Sequence, residues 1–253
     1  MNRENLKARP LSYSSLKEFY LSPKHYMHYL TKPRVETPDM LIGTATHHLL
    51  LQENFEDFFA VAPECDKRTK AGKETWEAFV AEAGEKKVLT QDQHTLVKSM
   101  ADAVKAYRPA QGIFEQLGAT EQKFLAEVHG LPITGFIDGL GDDVILEIKT
   151  CQSARPQDFI REAFNRMYHL QAGIYHFATG QKRKVYYIAV EKSEPFNVCV
   201  LQATDDFLQR GIALMGSLCE QFNTCLDYDL FNQGYEFYNT NGMIETLNLP
   251  AYA

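Results

Sequence analysis

Asp138, Glu147 and Lys149 are the residues of this 253-residue chain whose types and spacing best fit a chemical task. They lie in the stretch from Gly135 to Thr150, which reads as two short strands around a tight turn. Phe136 and Ile137 begin the first strand. Gly139, Gly141, Asp142 and Asp143 supply turn residues, and Val144, Ile145, Leu146 and Ile148 form the second strand. Side chains alternate along a strand, so Glu147 and Lys149 share a face, and the hairpin folds Asp138 back towards it. Two carboxylates at close quarters repel, and a buried ion is costly unless compensated. A divalent cation resolves that conflict: Mg²⁺ takes oxygen ligands at roughly 2.0–2.1 Å and keeps several waters. A lysine alongside can orient or activate one of those waters, which is the equipment for hydrolysing a phosphodiester. Without such chemistry the same residues make an edge hairpin with a surface Glu–Lys pair, worth about 0–1 kcal/mol.

Asp138 followed by Glu147-Ile148-Lys149 resembles the core of the PD-(D/E)xK nuclease superfamily. More narrowly, the chain is similar to the exodeoxyribonuclease VIII (RecE-type) group of phages and prophages, relatives of lambda exonuclease and RecB-type nucleases. The likeness covers most of the chain. It takes in Ser12 to Phe19, Gly43-Thr-Ala-Thr-His47, the Asp138/Glu147/Lys149 centre with Thr150, Gln171-Ala-Gly-Ile-Tyr175, and Val190 to Phe196.

The resemblance implies an α/β, restriction-endonuclease-like fold: a mixed sheet with a central antiparallel meander, flanked by helices. It implies that Asp138 and Glu147 bind Mg²⁺ together with the carbonyl of Ile148, that His47 and Glu121 help hold a second ion, and that Mn²⁺ substitutes. Glu127 is the alternative to Glu121, since only one of them need face inwards. Lys149 then positions or deprotonates the attacking water, Gln171 orients a water or the lysine, and Tyr175 contacts the DNA backbone. Gln171 and Tyr175, four apart, share a helix face, and Tyr175 reads equally as a core residue. The implied substrate is linear double-stranded DNA, degraded from the 5′ end to leave 3′ single-stranded tails for recombination. The implied partners are DNA ends, further copies of the chain in a homo-oligomeric ring, and a single-strand annealing protein. Two rivals stand beside this reading: a non-catalytic DNA-binding or assembly protein with the nuclease fold, and another nuclease of that fold, Cas4-like or restriction-type.

Composition sets the outer bounds. Residues 1–10 read as a flexible arm and 11–253 as a single domain, long enough for a sizeable core. A hydrophobic fraction of 45% and a charged fraction of 23% are ordinary for a globular protein. No apolar run approaches the ~20 residues of a membrane span, and the N-terminus lacks the apolar core of a signal peptide, so a cytoplasmic place is expected. The net charge of −7 excludes a protein coated in positive charge but leaves room for a local basic groove. Five cysteines without CxxC spacing predict reduced, mostly buried thiols and no iron–sulfur cluster.

Around the centre, the sequence predicts the elements that must position it. Ser12 to Ser15 offers N-caps, with Ser15 and Glu18 as a capping box, for a helix ended by Ser22-Pro23. The aromatic residues Tyr26 and Tyr29 of a second helix are at core spacing. Asp39 is the expected cap of an apolar helix through Leu51 that carries His47, a core histidine by its surroundings and a metal ligand by resemblance, with His48 as bystander. Phe55 to Val61 resembles a strand. Cys65 to Lys70 is a polar loop in which Arg68 and Lys70, with Lys67 and Lys73, make either a solvated charge run or a grip on a DNA phosphate. Helices follow over 74–83 and from Thr90 to Tyr107, then strands over 121–128, 133–138 and 144–150. Helices over 156–178, strands over 185–190 and 196–201, and a helix from Asp205 to about Phe222 complete the chain before an Asn- and Tyr-rich tail expected to pack on the surface or a neighbouring subunit.

Overall fold

The structure is a computed structural model, which describes residues 3–33 and 35–238. Eleven helices and seven strands are described. In chain order they are α1 (Arg3–Ala8), α2 (Tyr13–Leu21), α3 (Pro23–Thr31), α4 (Pro38–Leu51), α5 (Phe55–Phe58), β1 (Phe59–Val61), α6 (Lys70–Ala83), β2 (Lys87–Leu89), α7 (Gln91–Ala106), α8 (Arg108–Phe114), β3 (Ala119–Val128), β4 (Leu131–Leu140), β5 (Val144–Cys151), α9 (Pro156–Asn165), α10 (Tyr168–Ala178), β6 (Lys184–Glu191), β7 (Val198–Gln202) and α11 (Asp205–Tyr228). The main sheet has the order β3-β4-β5-β6-β7. Its first three strands form the expected antiparallel meander; β5 and β6 run parallel, and β7 is antiparallel to β6. The sheet is therefore mixed, with helices on both faces, as expected of a restriction-endonuclease-like fold.

β5 is buried on both faces, which is why its apolar residues run nearly without a break. Ile145 faces one core, shared with α2, α3, α9, α10 and α11. Leu146 and Ile148 face a second core, shared with α4, α7 and α8. Burying each such side chain stabilises the sheet by about 1.5–3 kcal/mol.

The β4–β5 pair is short. Gly139 pairs with Leu146 and Leu140 with Ile145, and there the ladder stops. Beyond the fork Asp138 occupies the space between the strands. Further along the freed edge of β4, Leu11 takes the place of β5: its amide donates to the Pro132 carbonyl and its carbonyl accepts from Thr134, both at 2.8 Å. The segment before Leu11, expected to be a loose arm, forms α1, and Leu6 is only 4% exposed in the first core.

α10 is buried on nearly every side, from Tyr168 to His176. It approaches α11 closely because both contribute glycine at the crossing. A Cβ on Gly173 would come within 2.5 Å of the Gly211 carbonyl carbon, and one on Gly211 within 1.8 Å of the His169 carbonyl oxygen.

Several local expectations change in the folded chain. Ser12, not Ser15, caps α2, with Ser15 completing the capping box. Thr37 caps α4 through its hydroxyl, and Asp39 lies within the first turn. Pro38 at N1 explains the shift: it needs no amide partner and presets the helical φ. Likewise Thr204 caps α11 ahead of Asp205. The stretch expected to be a strand before Val61 begins as α5, and only Phe59–Val61 pairs, in parallel, with β2. Pro109 sits in the first turn of α8, where its missing amide needs no partner. Gly139 is a strand residue rather than a turn residue; a Cβ there would meet Leu117 at 2.7 Å. The tail is described to Tyr238, with a 3-10 turn at Tyr235–Phe237, and the expectation for residues 239–253 lies outside the described residues.

Candidate active site

The fork between β4 and β5 assembles the site. Asp138 Oδ2 accepts the Ile148 amide at 2.7 Å, so the carboxylate does the work that a strand carbonyl would otherwise do. The amide and carbonyl of one strand residue leave the same edge, so the Ile148 carbonyl also opens towards the fork. On the far side of Asp138, His47 of α4 brings Nδ1 to 3.4 Å from the same oxygen. Gly43, one turn earlier, faces Thr150 of β5, where a Cβ would make an ordinary contact with Thr150 Oγ1 at 3.7 Å. Of the Gly-x-x-x-His pair, the histidine makes the contact with the site.

Glu121 completes this half. Thr120 pairs with Gly139 and Gln122 with Ile137, so Glu121 stands opposite Asp138 in register. Its φ is +48°, the left-handed region that a glutamate rarely adopts. In a regular strand Glu121 and Glu127 would point to the same face, being six apart. The left-handed residue breaks that alternation and turns Glu121 into the site, while Glu127 pairs opposite Pro132 and is exposed. One ligand atom each from His47, Glu121 and Asp138 lie within 4.8 Å of one another. The cavity they line has a volume of about 280 Å³ and is also lined by Gly43, Thr44, His48 and Gln52.

Glu147 belongs to the other half. Its Oε1 accepts from Lys149 Nζ and from Gln171 Nε2, both at 2.6 Å. The same Gln171 nitrogen lies 2.9 Å from the Tyr175 hydroxyl, and Lys149 Nζ sits 4.9 Å from the centre of the Tyr168 ring. Glu147 Oε2 and Gln171 Oε1 are buried and without a partner. The two carboxylates were expected to share one strand face. Instead they come from opposite faces and meet at the fork, Asp138 with His47 and Glu121, Glu147 with Lys149 and Gln171.

The charges are unevenly held. Burial opposes ionisation of Asp138, but His47, Lys149 and the Ile148 amide together hold its carboxyl below the usual range. Burial and the Asp138 charge push Glu147 up to about 7, against the pull of Lys149. Burial also disfavours the charge on Lys149, yet Glu147 and Asp138 outweigh it and raise the ammonium above its ordinary value. For His47 burial lowers and Asp138 raises, with a net rise. Burial and Asp138 raise Glu121. Of the two facing carboxyls, Glu147 is therefore the one that takes up a proton more readily.

The donor set fits a hard divalent cation. Imidazole, carboxylates and a backbone carbonyl are ligands for Mg²⁺ or Mn²⁺, with the imidazole favouring Mn²⁺. The partnerless Oε2 of Glu147 and the crowding of its charge with Asp138 are what such an ion would relieve.

Three other expected residues make their contacts elsewhere. Arg68 forms a two-bond ion pair with Asp66 at 2.9 and 3.0 Å on an exposed turn, and Lys70 lies 3.9 Å from Glu74. Tyr175, expected at the DNA backbone, is 6% exposed and packs its ring on Phe124. Its hydroxyl supports Gln171 from beneath. Tyr168 and Tyr13 were not singled out. Tyr168 sits three before Gln171 and seven before Tyr175, one helix face, so periodicity could have found it. Tyr13 feels the Lys149 charge although burial pushes it up to about 12; nothing in its spacing announces this.

Residues 12–232 match a family described as a PDDEXK-like domain of unknown function (DUF3799). The chain belongs to this PDDEXK-like family. Among solved structures, one described as "Putative exonuclease" from Eubacterium rectale is similar with a TM-score of 0.63 and 12% identity, covering 97% of this chain and 93% of that one. At that identity the likeness concerns the fold. A structure of LHK-Exo in complex with dAMP, 10% identical over 90% of this chain and 94% of that chain, has a TM-score of 0.38. A structure of SSO0001, 13% identical over 80% and 84%, has one of 0.30. A search of curated proteins gives no significant match. Four of the five cysteines are buried within the domain, and burial pushes the thiols of Cys151, Cys219 and Cys225 up to about 12. Among the described residues no helix is long and apolar enough to cross a membrane.

Proposed function

We propose that this PDDEXK-like protein is a divalent-metal-dependent nuclease, and more narrowly an exodeoxyribonuclease acting on linear double-stranded DNA in the 5′ to 3′ direction. The observation that carries the catalytic part is the convergence of His47, Glu121 and Asp138 beside a buried Glu147–Lys149 pair. His47, Glu121, Asp138, the Ile148 carbonyl and the free oxygen of Glu147 would hold Mg²⁺ or Mn²⁺, as one ion or two. When bound, the metal supplies a Lewis acid for the phosphate and its leaving oxygen. Lys149, kept protonated by Glu147, aims its ammonium at the water or phosphate placed beside it. Gln171 fixes Glu147 by donating to it and leaves its own carbonyl oxygen free to accept a hydrogen bond from that water. Tyr175 fixes Gln171, and Tyr168 fixes Lys149.

The finer reading rests on the sequence resemblance: DNA ends as substrate, 3′ tails handed to an annealing protein, a ring of copies enclosing the duplex, and a cytoplasmic setting. A linear duplex labelled at either 5′ or 3′ ends, incubated with Mn²⁺ beside a closed circle, tests it. The expected outcome is loss of the 5′ label from the linear form alone. Cutting of the circle would overturn the exonuclease reading, and failure of Mn²⁺ to support any cleavage would overturn the nuclease reading.

A further inference from the structure

A second cavity, of about 580 Å³, opens between α2, the end of α9, the start of α10 and α11. Lys17, Tyr20, Phe164, Arg166, His169 and Arg210 line it. Its chemistry differs from that of the metal cluster. No carboxylate lines it, and among the described residues Lys17 and Arg210 form no ion pair, whereas Arg166 is held by Glu162 at 2.6 Å. Lys17 Nζ lies over the Tyr13 ring and the Arg210 guanidinium over Phe164, 5.4 and 5.8 Å from the ring centres. Phe164 and Tyr20 are 57% and 47% exposed, high for aromatic rings that nothing in the fold requires outside. The His169 ring stacks at 20° to Phe164, and its Nδ1 is buried without a partner. Cations without counter-ions beside open aromatic faces suit a chain of phosphates and bases.

The cavity is also placed to serve the site. Arg166, Met167 and His169 face it, while Tyr168 between them lies under Lys149. Tyr13, beneath Lys17, donates its hydroxyl to the Arg166 carbonyl and feels the charge of Lys149. One short piece of chain thus touches both the groove and the Glu147–Lys149 pair.

We infer that this groove binds a single strand of nucleic acid next to the phosphodiester being cut, with phosphates on Lys17 and Arg210 and a base stacked on Phe164. The inference rests on the nuclease reading for its purpose but not for its measurement. The test is fluorescence anisotropy of a labelled oligothymidylate with the full chain in EDTA, across a salt series. Lys17→Ala with Arg210→Ala should weaken binding at least tenfold and flatten the salt slope by about 1.4, two phosphate contacts on a single strand. Phe164→Ala should cost at least about fivefold without changing the slope. Lys98→Ala with Lys105→Ala, two exposed cations on α7 that do not line the groove, should bind as the parent does. Equal affinity in the groove variants and the parent overturns the inference, and so does an equal loss in the α7 control. Hydrolysis of bis(4-nitrophenyl) phosphate by the unaltered protein with Mn²⁺ reports on the nuclease reading separately. No turnover there, with groove binding intact, would sink that reading and leave the groove standing.

Discussion

Asp138 replaces a strand partner for Ile148: its Oδ2 accepts the Ile148 amide at 2.7 Å where β4 and β5 have already parted. The carboxylate is thereby fixed in direction before any cation arrives, and its remaining oxygen is left for one. Asp138→Asn keeps an acceptor for the amide but removes the charge. The expected outcome is a protein that melts close to the parent, binds Mn²⁺ much more weakly by calorimetry, and cleaves DNA on the order of 10²–10³-fold more slowly. Cleavage at the parental rate would remove Asp138 from the mechanism.

Lys149→Met tests the other half. The substitution retains length and removes the ammonium that favours the ionised form of Glu147. Breaking a buried pair typically costs about 3–5 kcal/mol when the remaining charge is stranded. Here Glu147 escapes by keeping its proton, so the loss of stability should fall short of that range, while cleavage falls by at least about a hundredfold. A variant that cuts normally contradicts the role of Lys149 in placing water or phosphate.

Gln171→Leu should shift the pH dependence of cleavage. The amide donates to the ionised form of Glu147, so its removal disfavours that form and raises the Glu147 pKa further above about 7. The acid limb of the rate profile is expected to move to higher pH, with a smaller effect on the plateau. An unmoved limb would show that Gln171 does not act through Glu147.

Without metal, stability should fall as pH rises from 5 to 8. Glu147 has a folded pKa above its ordinary 4.5, so the folded state holds its proton more tightly; this contribution is full below 4.5 and lost as pH passes about 7. His47 is also raised above 6.5, and its contribution is likewise lost as pH climbs through its folded value. Asp138 works the opposite way, but only below its ordinary 3.8. Mn²⁺ competes with those protons, so it should raise the melting temperature more at pH 8 than at pH 6. Calorimetric scans at both pH values check the sign.

Gly211→Ala should reach the site through α10. The added methyl meets the His169 carbonyl, so the helices must separate. A loss of about 1–3 kcal/mol is expected, together with reduced cleavage as Gln171 is drawn away from Glu147. Denaturant melts and cleavage rates on the same preparation measure both.

Much of this was readable beforehand, for definite reasons. Asp138, Glu147 and Lys149 lie on strands whose period shows directly in the sequence. His47 is legible as a ligand only through the family resemblance, because its apolar surroundings alone make it a core histidine. The choice between Glu121 and Glu127 was not readable, because alternation puts them on one face and only a left-handed residue separates them. Tyr175 could be placed on its helix face but not in depth, since depth depends on the glycine crossing with α11. Arg68 looked available because its partner, Asp66, stands two residues away in a turn whose geometry composition does not reveal.

The left-handed backbone at Glu121 has a consequence for how such a protein can change. Glycine would occupy that conformation with less penalty, by about 1 kcal/mol, so Glu121→Gly should fold at least as firmly while offering one oxygen fewer to a cation. Variants chosen only for heat resistance would drift towards losing that residue, and a homologue carrying glycine there would be sturdier and less able to retain its ion.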